Sequence, residues 1–201
     1  MKKRPPQLHA VTDDAILELN DFLIRATSLA ASEHIGIQLR GRAIDGRTRY
    51  RLGRELLDRC TDTNLFINDR IDIAMALRAD VHLPSHGVPV NRAKQLLSPD
   101  TLVGRSTHSA EEARSEIDGG ADYVFLGPIW PTKSHPDNPG IGPAAITAAL
   151  PGRIIAIGGI TPERARICRE AGAYGVAAIS CLWSSSDPDR VASEILLSLE
   201  Q

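Results

Sequence analysis

The sequence is poor in cysteine and lacks any long apolar run. Its three cysteines, Cys60, Cys168 and Cys181, are odd in number and widely spaced, so we expect reduced thiols rather than a disulfide framework or a zinc site. No stretch approaches the ~18 apolar residues of a membrane span. The start, MKKRPPQLHAVTDD, has positive charge without the apolar segment of a secretory signal. These absences predict a cytoplasmic protein that makes no contact with a membrane.

The sequence also lacks an excess of either charge. Lys and Arg number 23 against 25 Asp and Glu, for a net charge of −2. A nonspecific nucleic-acid binder needs a basic surface, so nucleic acid is not an expected partner. With 42% apolar residues the chain is too hydrophobic to be disordered. Its 201 residues suit one domain spanning positions 1–201.

Short β-rich runs alternate with longer segments of helical pattern. Eight strands are predicted, at residues 8–12, 35–40, 65–68, 80–83, 102–105, 123–126, 154–157 and 175–179. Eight strand–helix units are typical of a (β/α)8 TIM barrel, and about 200 residues is the lower end of its size range. The fold class predicted is therefore α/β, a single-domain TIM barrel of near-minimal length. The alternative is an open doubly wound sheet, which fits less well because no strong dinucleotide glycine motif is present.

Helix boundaries follow from capping signals. The run Ser109-Ala110-Glu111-Glu112 matches a capping box. Thr161 followed by Pro162 gives an N-cap and a proline at the first helical position. Glycines at positions 119, 120 and 172 suit helix ends.

Polar side chains follow the second and third strands. A TIM barrel has its active site at the carboxyl ends of the strands. The period of two directs Gln38, Arg40 and, if the strand continues, Arg42 to one side. Two guanidinium groups beside an amide suit a diphosphate, although they also fit a solvated strand end. Asn68 ends strand three and Asp69 follows it, where Asp69 either ligates Mg²⁺ or caps the next helix.

The remaining strand ends carry further candidates. His82 and His108 are either structural, hydrogen-bonded histidines or catalytic ones. The stretch 127–140 has four prolines, two hydroxyls, a lysine and a histidine, which favours a substrate-covering loop over a plain connector. Gly158 and Gly159 precede a helix after strand seven, where backbone N–H groups commonly bind phosphate. A tight turn is the alternative for that glycine pair.

Several short motifs, in order along nearly the whole chain, resemble the thiamine phosphate synthases and the related thiazole tautomerases. They are HAVTD at 9–13, QLR at 38–40, INDR at 67–70, VHL at 81–83, STHS at 106–109, GPIWPT at 127–132, AIGGI at 156–160 and IS at 179–180. The resemblance to the synthases implies that hydroxymethylpyrimidine diphosphate loses pyrophosphate and that the thiazole phosphate nitrogen captures the pyrimidine carbocation. Small phosphorylated molecules are then the partners, and a homo-oligomer is compatible with the sequence.

The resemblance also implies roles for individual residues. The pyrimidine diphosphate is bound by Gln38, Arg40, Arg42 and Asn68, Asp69 binds Mg²⁺, and Ser106 lies near the leaving group. Such a reaction depends on stabilising the charge of the departing pyrophosphate more than on a general base. The residues expected to bind the thiazole phosphate are Thr132, Ser134, Gly158, Gly159, Ile179 and Ser180.

The chain departs from the synthase pattern at two positions. Gly87 stands where synthases have a second Mg²⁺-binding aspartate, and His135 stands where they have a diphosphate-binding lysine. The resemblance to the tautomerases implies an alternative activity that needs no metal. However, the histidine implicated as their base corresponds to Pro128 in this chain. In that case His135 would have to be the base. A third possibility is a noncatalytic relative that binds a phosphorylated ligand. The candidate catalytic residues are therefore His135, Ser106 and Arg40.

Overall fold

The computed structural model describes residues 3–60, 63–132 and 139–200. Within these ranges eight parallel strands close into a barrel in sequence order, β1 pairing with both β2 and β8. The predicted (β/α)8 barrel is therefore confirmed, and the open doubly wound alternative is wrong. The strands are β1 (Leu8–Val11), β2 (Ile35–Leu39), β3 (Asn64–Asn68), β4 (Asp80–Leu83), β5 (Val103–Thr107), β6 (Tyr123–Leu126), β7 (Ile154–Ile157) and β8 (Gly175–Ala178).

The helices in the described ranges surround this barrel. They are α1 (Asp14–Leu17), α2 (Phe22–Ala30), α3 (Gly46–Arg59), α4 (Ile71–Leu77), α5 (Val90–Leu96), α6 (Ala110–Asp118), α7 (Ala144–Ala148), α8 (Pro162–Glu170), α9 (Ser180–Trp183) and α10 (Pro188–Glu200). None of the described helices combines the length and apolar character that crossing a membrane requires.

Capping chemistry fixes several of these boundaries as predicted. The Ser109 hydroxyl accepts the Glu112 N–H at the start of α6. The Glu112 carboxylate accepts the N–H of His108 rather than that of Ser109, so the reciprocal bond of the capping box is displaced by one residue. Thr161 caps α8, with Pro162 at the first helical position.

Side chains alternate between the two faces of the barrel wall. Those facing outward pack under the helices in a large apolar cluster that includes Ile37, Ile67 and Val124. Those facing inward form a smaller cluster of bulkier groups: Val11, Phe66, Leu102, Tyr123, Phe125, Ile155 and Ala177. Three aromatic side chains, Phe66, Tyr123 and Phe125, thus pack together inside the barrel, which is a packed core rather than a pore.

One polar ring lies within that aromatic interior. His9 is fully buried, with its ring centroid 4.7 Å from that of Phe66 and 5.1 Å from those of Tyr123 and Phe125. Among the described residues neither imidazole nitrogen has a partner within hydrogen-bond geometry, so any interaction with the Pro6 carbonyl is a weak one. Burial lowers the pKa of His9 to about 3, an effect only partly opposed by the nearby Pro6 carbonyl. His9 is therefore a neutral core residue.

The three cysteines are free thiols, as predicted, with Cys168 buried and Cys60 and Cys181 half-buried. Burial raises the pKa of Cys168 to about 12 and that of Cys181 to about 11. Both thiols are consequently protonated and unreactive at neutral pH.

Candidate functional site

Gln38, near the end of β2, presents an unused acceptor at the mouth of the barrel. The side chain is 1% exposed, and its Nε2 donates to Asn68 Oδ1 on β3 at 3.0 Å. Its Oε1 is buried and has no hydrogen-bond partner in the part of the chain that the structure describes. Because buried polar atoms are normally paired, this oxygen is suited to accept a hydrogen bond from a ligand. The predicted pairing of Gln38 with Asn68 at one site is thus observed.

Arg40 follows β2 as a half-buried cation. Its backbone is fixed by Thr12, whose hydroxyl accepts the Arg40 N–H and donates to the Arg40 carbonyl, both at 2.8 Å. In the described part of the chain its guanidinium makes no ion pair or side-chain hydrogen bond. Burial lowers the pKa of Arg40, as does the neighbouring Arg42 charge, against the opposing effect of Asp13 and Asp14. An arginine of this kind, with no direct ion pair among the described residues, favours a bound anion.

The loop that carries Arg42 is held in place by two residues that the sequence analysis missed. Asp14 accepts the N–H groups of Arg42 at 3.0 Å and Ala43 at 2.8 Å. Buried Arg49 donates to the carbonyls of Leu39 at 3.0 Å and Gly41 at 2.7 Å. Arg42 itself is exposed. The loop that carries the strand-end arginines is therefore held in one conformation by hydrogen bonds with Asp14 and Arg49.

Asp69 has a left-handed backbone conformation and does not cap the helix that follows it. Its φ is +66°, a value uncommon for a residue other than glycine. The N-cap of α4 is Arg70, with no side-chain capping bond, so the helix-cap alternative for Asp69 is wrong. The Asp69 N–H donates to the His82 carbonyl at 2.9 Å, which fixes its backbone at the mouth, while its carboxylate is exposed.

This carboxylate fits only a metal that takes most of its ligands from elsewhere. No group of three or more His, Cys, Asp or Glu residues suited to a metal occurs among the described residues. Mg²⁺ commonly takes one or two protein carboxylates and completes its shell with substrate phosphates and water. Asp69 is suited to that arrangement.

The turn after β4 has no room for a second aspartate at position 87. The Gly87 N–H donates to the Pro84 carbonyl at 2.9 Å. A Cβ added at Gly87 would lie 2.9 Å from Pro84 Cδ and 3.0 Å from its Cγ. An aspartate at position 87 would require Pro84 to move. The local packing therefore favours the glycine that this chain has in place of the synthase aspartate.

Ser106, at the end of β5, is half-buried and backed by a histidine. His82 Nε2 lies 2.8 Å from Ser106 Oγ, and His82 Nδ1 lies 3.2 Å from the Tyr123 hydroxyl. Burial holds the pKa of His82 well below its usual range, with further lowering from His9, Arg105 and Arg40. His82 is thus a neutral hydrogen-bonded histidine. His108 Nδ1 lies 2.9 Å from the Gly127 carbonyl, beside the loop that follows β6.

The described part of the loop after β6 is attached to the end of β7. Ile129 N–H donates to the Ile157 carbonyl at 2.8 Å, and Trp130 N–H donates to the Gly158 carbonyl at 3.3 Å. Among the described residues the buried Thr132 Oγ1 has no hydrogen-bond partner, so it is suited to bind a ligand. The predicted site residues Ser134 and His135 lie outside the described residues.

The glycine pair after β7 has the backbone that only glycine adopts readily. Gly158 has a φ of +100° and Gly159 a φ of +67°. Arg164 donates to the Gly159 carbonyl at 2.6 Å, and its Cζ lies 4.9 Å from the centroid of the Trp130 ring. Arg164 thus stabilises the glycine turn through a hydrogen bond and through stacking on Trp130. Because these residues are far apart in sequence, no local motif predicts the contact.

Ile179 and Ser180 lie at the next strand end. Ile179 is the N-cap of the short helix α9, and Ser180 is its first residue. The first N–H groups of a helix have no partner within the helix. The strand ends that carry the glycine pair and Ser180 are neighbours, because β7 pairs with β8.

Substituting Gly158 by alanine is expected to disturb this part of the mouth. A Cβ there would lie 2.6 Å from Pro128 Cβ and 2.7 Å from Pro128 Cα. The control is Gly120→Ala, because Gly120 has a φ of +98° but open space around the added carbon. Both variants carry the ~1–2 kcal/mol cost of left-handed alanine.

Only Gly158→Ala should lose a further ~1–3 kcal/mol of the free energy of unfolding through overpacking. It should also bind inorganic phosphate more weakly. Urea unfolding and isothermal titration measure the two effects. Equal losses in the two variants would contradict a packed turn at Gly158.

Comparison with known proteins agrees with these observations. Residues 8–182 match the family model described as thiamine monophosphate synthase. The thiamine-phosphate synthase of Chlorobium luteolum is 39% identical over 198 residues, covering 95% of this chain and 92% of that protein. The thiamine-phosphate synthase of Mycobacterium bovis is 44% identical over 135 residues, which cover 64% of this chain but only 61% of the mycobacterial protein. A solved thiamine phosphate pyrophosphorylase from Pyrococcus furiosus superposes with a TM-score of 0.80 at 28% identity, covering 96% of this chain and 95% of that one.

Proposed function

The chain belongs to the thiamine monophosphate synthase family, and from this premise we propose that it joins hydroxymethylpyrimidine diphosphate to thiazole phosphate. In the proposed reaction the bond between the pyrimidine methylene carbon and the diphosphate oxygen breaks, and its electron pair leaves with pyrophosphate. The lone pair of the thiazole nitrogen then forms the new carbon–nitrogen bond. The products are thiamine phosphate and pyrophosphate.

The observation that carries this proposal is the set of unsatisfied polar groups at the barrel mouth. In the described chain Gln38 Oε1 and Thr132 Oγ1 are buried without partners, and Arg40 is a half-buried cation without a direct ion pair. Each such group costs stability when it is left unpaired. They are accounted for by a polar, anionic substrate.

The pyrimidine diphosphate side of the site is assigned to β2, β3 and β5. Arg40 would bind the diphosphate with its planar fork and stabilise the charge that develops on the leaving group. Arg42, on the braced loop, would add a second cation. Gln38 Oε1 and Asn68 would orient the ring, and Ser106 would donate to an acceptor atom near the breaking bond.

The thiazole phosphate is assigned to the opposite side of the mouth. Gly158 and Gly159 lack the side chains that would keep phosphate oxygens from backbone N–H groups. The N–H groups at Ile179 and Ser180, and the unpaired hydroxyl of Thr132, complete the proposed pocket. Ser134 and His135 remain proposed contributors whose positions lie beyond the described residues.

Mg²⁺ is proposed as the cofactor, with Asp69 as its protein ligand. When bound, the ion would neutralise charge on the departing pyrophosphate. The Asp69 backbone is well suited to hold the carboxylate at the mouth because its N–H is tied to the end of β4. Because Gly87 has no carboxylate, the diphosphate and water would supply the remaining ligands of the Mg²⁺ ion.

The proposal is tested by pyrophosphate release from purified protein given both substrates, with and without Mg²⁺. Asp69→Asn removes the charge but keeps the shape of the side chain. We expect it to lower the Mg²⁺-dependent rate by ~10²-fold or more, as the loss of a strong electrostatic stabiliser does.

Asp72→Asn is the matched control, because Asp72 is an exposed carboxylate three positions later whose partner is Arg70. Its rate should stay close to that of the parent protein. A wild-type rate in Asp69→Asn would overturn the metal role of Asp69. No pyrophosphate release by the parent protein would overturn the synthase proposal itself.

A further inference from the structure

Three side chains form a hydrogen-bonded line from the barrel core to its mouth. The Tyr123 hydroxyl on β6 lies 3.2 Å from His82 Nδ1 on β4, and His82 Nε2 lies 2.8 Å from Ser106 Oγ on β5. Tyr123 and His82 are at most 1% exposed, whereas Ser106 is half-buried. The direction of these hydrogen bonds determines what Ser106 can offer to a ligand.

The buried end of the line fixes that direction. His82 Nδ1 is the only hydrogen-bond partner that the Tyr123 hydroxyl has among the described residues. If Nδ1 carried the proton, the phenolic O–H would be buried without an acceptor, which costs ~1–3 kcal/mol. The favoured arrangement therefore has Tyr123 donating to Nδ1, so that the neutral imidazole carries its proton on Nε2.

From this arrangement we infer that Tyr123 and His82 set Ser106 as a hydrogen-bond donor toward the barrel mouth. His82 Nε2–H donates to Ser106 Oγ, so the serine proton has no acceptor within the line and is directed to a ligand. Ser106 is then a selective contact for an atom that has a lone pair and no proton. Tyr123 and His82 are positioning residues, since they act through Ser106.

The packing of β5 against β6 fixes the position of the Tyr123 side chain. A Cβ added at Gly104 would lie 2.1 Å from Tyr123 Cζ and 2.5 Å from its hydroxyl oxygen. Only glycine at position 104 leaves space for the tyrosine ring. His82 is also held from the side, because its ring centroid lies 4.0 Å from that of Phe125. Packing against Phe125 and the hydrogen bonds at both nitrogens hold the His82 ring in its observed orientation.

The role of Ser106 at a substrate rests on the proposed function, but the direction of the hydrogen bonds does not. Under that function, the acceptor is an oxygen of the diphosphate or a ring nitrogen of the pyrimidine. Both have a lone pair without a proton. The rate of pyrophosphate release therefore tests the proposed function, whereas the tautomer measurement tests the direction of the hydrogen bonds.

The tautomer is measured by nitrogen-15 NMR of the full chain labelled at histidine, with the His82 signals assigned by their loss in His82→Gln. In the parent protein we expect a protonated Nε2 and an unprotonated Nδ1. In Tyr123→Phe the donor to Nδ1 is gone, so the signals should move toward the Nδ1–H tautomer. The rate of pyrophosphate release, as kcat/KM, should fall by about tenfold, the equivalent of one hydrogen bond.

Tyr174→Phe is the matched control. Its hydroxyl donates to the Pro5 carbonyl at 2.7 Å, at the opposite end of the barrel, so its loss should lower stability without changing the His82 tautomer. An Nδ1–H tautomer in the parent protein, or an unchanged tautomer in Tyr123→Phe, would overturn the inference. If the tautomers behave as expected but the parent protein lacks synthase activity, the proposed function fails and the hydrogen-bond direction stands.

Discussion

Replacing Arg40 by glutamine is expected to lower kcat/KM for pyrophosphate release by ~10²–10³-fold. The guanidinium is the half-buried cation of the mouth and has no counterion in the described chain, so its charge is available to the leaving group. Arg40→Lys should recover only part of the activity, because an ammonium retains the charge but not the planar fork. Steady-state kinetics with both substrates, and calorimetric titration with inorganic pyrophosphate, measure the loss.

The same substitution should leave the free energy of unfolding unchanged or raise it. A half-buried cation without a partner carries a desolvation cost that glutamine reduces. Arg51→Gln is the control, since Arg51 is exposed on α3 and pairs with Glu55. A combined loss of stability and activity in Arg40→Gln would mean that Arg40 supports the fold, and full activity would remove it from the site.

Acidification is expected to destabilise the protein through His9. Its pKa is about 3 in the folded chain against 6.5 when solvated, so between these values the unfolded state binds more protons. The stability associated with neutral His9 is present above pH 6.5 and is lost as the pH falls toward 3. The slope approaches ~1.4 kcal/mol per pH unit, so about 2–3 kcal/mol should be lost between pH 7 and pH 4.5.

A variant isolates this contribution from those of other titrating groups. His9→Leu removes two unpaired polar atoms from an aromatic surrounding, so its stability at pH 7 should equal or exceed that of the parent protein. The advantage of His9→Leu should grow as the pH is lowered from 6.5. His34→Leu, at an exposed histidine, should show no such trend. Urea unfolding at a series of pH values tests this, and a difference independent of pH would contradict it.

Strand positions were predictable because each strand is a short run with a β-rich composition between helical segments. The predicted bounds for β4, β6 and β7 coincide with those observed, while β5 begins at Val103 and extends to Thr107. Strand ends are harder to predict because a last residue such as Arg40 can be extended without pairing. The count of eight strands was sufficient to predict the barrel.

Individual contacts in the site were less accessible to prediction. Tyr123 lies 41 positions from His82, and their meeting depends on the register of three strands, which a single sequence does not specify. Arg164 and Trp130 belong to different loops, and their stacking depends on how the loop after β6 folds back. By contrast, Gln38 and Asn68 were placed together correctly, because adjacent parallel strands bring their ends to one edge.

The pairing of β1 with β8 has a consequence for how this protein is made. Val176 N–H donates to the Gln7 carbonyl at 2.8 Å, and the Tyr174 hydroxyl bonds to the Pro5 carbonyl across 169 positions. During translation, the edge of β1 therefore remains unpaired until β8 has left the ribosome. Exposed strand edges of this kind are prone to association. The nascent chain is thus most vulnerable to aggregation when seven strands are present and the eighth is still in the exit tunnel.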